Sequence, residues 1–69
     1  METGDRVLTA YYDKIHRGTV NIEGELVSKS PDAKSFRINV EKINGVALEK
    51  QVEKQFNAED DVVIDISII

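Results

Sequence analysis

His16 is the only histidine and the chain has no cysteine, so the chain offers one imidazole and no thiol for chemistry. As a general base His16 would need a nucleophile or a carboxylate partner within hydrogen-bond reach in a cleft. Its basic neighbours are Lys14 and Arg17, and the segment before it carries a helical stripe. It therefore reads as a residue in the last turn of a helix, where positive charge complements the dipole. The run Glu59-Asp60-Asp61 carries the oxygen ligands that hard cations prefer, but it lacks the alternating spacing and the glycine of a calcium loop. An acidic, solvated turn ahead of an apolar strand is the reading it supports.

The segment Ser28-Lys29-Ser30-Pro31-Asp32-Ala33-Lys34-Ser35 offers hydroxyls and ammonium groups to a phosphate. No glycine-rich nest or helix start follows it, so it reads as an exposed hairpin loop. Tyr11 and Tyr12 have the faces on which bases stack in single-strand binders, yet they fall on an apolar stripe and read as core or interface residues. Without a thiol, a metal cluster or a glycine-rich cofactor loop, no catalytic constellation is visible. The expectation is a protein that is not an enzyme and has no cofactor and no metal.

Lys14, Arg17, Lys29 and Lys34 are the candidate nucleic-acid patch, provided that the helix end and the first hairpin loop meet. The net charge of −4 disfavours that reading. The stronger candidate is the C-terminal run DDVVIDISII. Val62, Ile64, Ile66 and Ile68 alternate with Val63, Asp65, Ser67 and Ile69, so a strand over 62–68 is expected, and its second face is apolar at both ends. A strand with this pattern is either covered on both sides or pairs with a protein partner or another copy of the chain. Val63, Asp65, Ser67 and Ile69 are the expected partner-binding residues.

These candidates need elements to hold them. At 69 residues, 41% hydrophobic and 32% charged, the chain is expected to be one globular domain. It has no run of the length that crosses a bilayer and no secretory start, so a soluble, cytoplasmic protein is expected. Val7, Leu8, Tyr11, Tyr12 and Ile15 form a helical stripe, with Thr3 or Asp5 as cap and Gly18 as stop, predicting a helix over about 5–17. Phe36, Ile38 and Val40 alternate with polar residues, predicting a strand over 35–43.

For Val46 to Phe56 the sequence fits a helix and a strand alike. A three-residue loop, Ile43-Asn44-Gly45, favours the strand, since it pairs Val40 with Leu48 and Phe36 with Val52. A two-residue turn would set Val40 against Glu49. Upstream, Leu26 facing Phe36 and Ile22 facing Val40 predict a strand over 19–27, with Gly24 at a bend. Arg37 then lies opposite Glu25 and Gln51, a neutralised group on an acidic face. The predicted class is α+β, mainly β: an N-terminal helix, then a four-stranded antiparallel meander or small β-barrel with strands over 19–27, 35–43, 46–56 and 62–68.

The order of a helix and then short strands, with Gly24-Glu25-Leu26-Val27 opening toward a bend, loosely resembles the Sm-like small barrels. That resemblance would imply ring assembly and RNA binding. The family's two signatures are missing at Asp32-Ala33-Lys34-Ser35 and Val63-Ile64-Asp65-Ile66, so none of its functional residues carries over. A non-enzymatic protein-binding module acting through sheet-edge or helix-face contacts is the expected function, and a small-barrel nucleic-acid binder is the alternative.

Overall fold

The computed structural model describes residues 1–69. It holds five strands, β1 (Arg6–Asp13), β2 (Gly18–Lys29), β3 (Ser35–Ile43), β4 (Val46–Asn57) and β5 (Val62–Ile68). They form one antiparallel sheet in the order β4-β3-β2-β1-β5.

The expected helix over residues 5–17 is overturned, and with it the α+β class: the protein is all-β. Val7 and Thr9 are buried and Tyr11 packs against the core, while Leu8, Ala10 and Tyr12 occupy the other face. A stripe of Val7, Leu8, Tyr11 and Tyr12 satisfies a strand with two apolar faces as well as a helix. Its β-branched and aromatic content tips the balance toward the strand once β2 and β5 flank it. Asp13 ends β1 by accepting the N–H groups of Ile15 (2.9 Å) and His16 (3.4 Å), and Arg17 turns the chain with φ 55°. Gly18, expected to stop a helix, opens β2 instead.

The hairpin at Asn44-Gly45 forms, but with the two-residue turn rather than the three-residue loop. Asn44 and Gly45 have φ 50° and 82°, and Ile43 pairs with Val46. Positive φ at both central residues gives the turn a twist that matches a hairpin. The clash of Val40 with Glu49 is avoided by an irregularity between Val40 and Lys42: Leu48 to Gln51 all face Glu41, after which Val40 pairs with Val52 and Phe36 with Phe56. The extra residues restore apolar against apolar at these two pairs, with Lys54 opposite Ile38 between them.

The β2–β3 register also differs from the expectation. Leu26 pairs with Ile38 and Gly24 with Val40, with irregularities between Glu23 and Gly24 and between Leu26 and Ser28. A Cβ on Gly24 would lie 1.9 Å from the Asn39 carbonyl oxygen, so only glycine admits this approach. Arg37 consequently faces Ser28 and Gln55 rather than Glu25 and Gln51, and its Nη2 donates to Gln55 Oε1 at 3.0 Å.

The sheet supplies its own second layer by curling. β4 and β5 lie on opposite edges, about 19 Å apart were the sheet flat at four strand spacings. Yet only residues 58–61 join them, wound into a turn in which the Asp61 N–H donates to the Asn57 carbonyl at 2.8 Å. A link that compact can join the two edges only if the sheet bends them toward each other. The core that results is Val7, Ile22, Leu26, Ile38, Val40 and Phe56, all buried. No β4–β5 ladder closes the sheet, so it remains open.

Candidate functional site: the free edge at β5

β5 is an edge strand paired only with β1. Ala10 pairs with Asp65 and Tyr11 with Val63, leaving Ile64 as an extra residue in a bulge. The bulge shifts the phase of the strand, so Ile66 on one side of it and Val63 on the other both pack against the core. Of the expected partner-binding residues, Val63 is thus half-buried against the core, whereas Asp65, Ser67 and Ile69 are exposed. Val62, Ile64 and Ile68 join them, each more than half exposed at 52%, 57% and 59%. The bulge hid Ile64 from a reading based on strict alternation.

The backbone of this edge has a definite polarity. Ile69 donates its N–H to the Arg6 carbonyl at 3.0 Å, in register with the Val7–Ile68 pair. Hydrogen bonding alternates along an antiparallel ladder, so Ser67 and Asp65 also bond toward β1. The peptide groups of Ile66 and Ile68 therefore point away from the sheet. The opposite edge is unlike this one: β4 carries Glu49, Lys50, Glu53 and Lys54, and the irregularity at Leu48–Gln51 distorts it. Lys54 shares the core face with Ile38, and its Nζ lies over the rings of Tyr11 (5.1 Å) and Phe56 (5.2 Å). Charges, an inward lysine and a bulge are the devices that protect an edge from pairing. Of these, β5 has a bulge and one charge, Asp65.

The curl places the basic candidates on either side of the 58–61 turn and does not merge them. Lys14 Nζ donates to the Asp60 carbonyl at 2.9 Å, and the Ala58 N–H donates to the Lys34 carbonyl at 2.7 Å. Glu59, Asp60 and Asp61 thus sit between the two loops. Lys29 is occupied by the Met1 carbonyl, and Arg17 belongs to the β1–β2 turn.

His16 does have a carboxylate, one overlooked in the sequence although the Asp13-to-His16 spacing is that of a turn: Asp13 Oδ2 lies 2.7 Å from His16 Nδ1. That hydrogen bond, followed by the one from the Ile15 N–H, holds the Asp13 carboxyl below its ordinary value. The pair borders a hollow of about 420 Å³ with Tyr11, Thr19, Val20 and Ile43, and the His16 side chain is 80% exposed. Burial, with Asp13 and Asp61 nearby, pushes the Tyr11 hydroxyl up. Asp13 thus caps the turn with one carboxylate oxygen, and the His16 imidazole meets the other.

No family model, curated protein or solved structure matches the chain.

Proposed function

We propose that this protein is a non-enzymatic binding module, a small regulatory or accessory protein that takes a strand of a protein partner onto β5. The observation that carries the proposal is the contrast between the edges: charged, distorted and guarded at β4, apolar at β5 with the peptide groups of Ile66 and Ile68 pointing outward. Strand addition draws affinity from such backbone groups and selectivity from alternate side chains. The acidic turn between the lysines supports this reading over nucleic-acid binding.

Hydrogen exchange on the protein with and without a captured partner tests it. Slowed exchange at Ile66 and Ile68, with capture abolished by Ile68→Lys and kept by Val52→Lys on β4, is the expected result. Protection confined to β4 or to the 14–17 turn would place the binding surface elsewhere.

A further inference from the structure

We infer that the strand received by β5 is β5 of a second copy of this chain, paired antiparallel about Ile66. The inference rests on the edge-docking reading and names its occupant. Its basis is the sequence Ile64-Asp65-Ile66-Ser67-Ile68, which is self-complementary when reversed. A two-fold axis at Ile66 sets Ile66 against Ile66, Ile64 against Ile68 and Asp65 against Ser67. An isologous interface requires this property, because both copies offer the same surface.

The backbone restricts the register before the side chains do. On the C-terminal side of the bulge, Ile66 and Ile68 are the residues with peptide groups directed outward, so the hydrogen-bonded pairs between the two copies centre on them. Side chains then choose among the registers that remain. A two-fold axis at Asp65 would oppose two aspartates directly, which is unfavourable. An axis at Ser67 would set Asp65 against Ile69 and leave Ile64 without a partner. The axis at Ile66 sets Ile66 against Ile66 on the face that Ile66 and Ile68 share with Thr9 and Val7, and brings Ile68 to the bulge residue Ile64 at either end. On the outer face, which Ser67 and Asp65 share with Leu8 and Ala10, it gives two serine–aspartate pairs, each hydroxyl able to donate to a carboxylate.

Because Asp65 and Ser67 are exposed, they can be exchanged with little effect on the monomer fold. Sedimentation equilibrium of the full chain should show a species of twice 7.8 kDa. Ser67→Asp, which opposes two carboxylates across each pair, should weaken the dimer by at least about tenfold. Asp65→Ser combined with Ser67→Asp keeps the composition and restores the pairing, so it should return the dimer to near its original affinity. The chain has no cysteine, which permits a second test by disulfide. Asp65→Cys and Ser67→Cys proteins should cross-link when mixed, and neither should do so alone.

A dimer indifferent to Ser67→Asp, a swap that fails to restore it, or self-linking of Asp65→Cys would overturn the register. A protein that remains a monomer at millimolar concentration would overturn the second copy as occupant. In that case slowed exchange at Ile66 and Ile68 with a different partner would leave the edge reading standing, and fast exchange there with every partner would remove both.

Discussion

The Tyr11 ring on β1 meets the Phe56 ring on β4 edge-on, with centroids 5.1 Å apart and planes at 70°, although β2 and β3 lie between those strands in the sheet. On a flat sheet three strand spacings would separate them by about 14 Å. The contact therefore exists only because the sheet curls, and Phe36, stacked on Phe56 at 5.0 Å, continues it into β3. Phe56→Ala should cost about 3–5 kcal/mol, most of the stability of a domain this small. Urea denaturation measures it, and an unchanged midpoint would mean that the curl is held by other contacts.

Thr9 is fully buried, and its hydroxyl has no hydrogen-bond partner. Valine has nearly the same shape and no polar atom to satisfy. Thr9→Val should therefore stabilise the fold, by about 1 kcal/mol, read as a higher thermal or urea midpoint. A lower midpoint would show that the hydroxyl is satisfied in solution.

Gly24→Ala should destabilise the protein severely, because the added methyl would lie 1.9 Å from the Asn39 oxygen and 3.1 Å from Val40 Cα, both backbone atoms. Relief requires β2 and β3 to separate at the centre of the core. A loss of at least about 3 kcal/mol is expected, and a soluble variant of normal stability would contradict the close approach.

Acid should weaken two loops. The Asp13 carboxyl is held low chiefly by His16, and that of Asp32 chiefly by the Ser30 hydroxyl, which lies 2.5 Å from Asp32 Oδ1. A carboxyl whose folded pKa is depressed contributes stability that is present above its unfolded value and lost as pH falls through the folded one. The window thus lies below the ordinary aspartate value of 3.8. Carboxyl resonances followed by NMR should give both midpoints below that value, and His16→Ala should raise the Asp13 midpoint alone. Tyr11 has the opposite dependence: its raised pKa contributes stability below the ordinary value of 10.0 that is lost as pH rises through the folded one.

Much of this architecture is legible in the residues, and the failures share a physical origin. Phe36, Ile38 and Val40 announce β3 by strict alternation, and β5 begins where the apolar run does, at Val62. Val7, Leu8, Tyr11 and Tyr12 misled because a strand with two apolar faces and a helix stripe place the same residues at the same spacing. Registers were illegible wherever a bulge intervened, since alternation carries no mark of an extra residue: Ile64 shifts the phase of β5, and Leu48 to Gln51 realign β4. Lys54 fell on the inward phase of β4, but its place over two rings depends on the curl, a long-range property.

The β1–β5 ladder joins Val7 to Ile68, across nearly the whole chain, whereas β2, β3 and β4 are linked by short turns. Loop closure over so many residues is costly, so the meander should assemble first and β5 should dock late in folding. Ile66→Val, which trims the docked strand, should then accelerate unfolding and leave the folding rate almost unchanged, a φ-value near zero by stopped flow. Until β5 arrives, both it and the β1 edge that receives it are unpaired. The same apolar strand is thus open to a neighbouring chain during every folding event, and the time to dock sets how much protein aggregates at a given concentration.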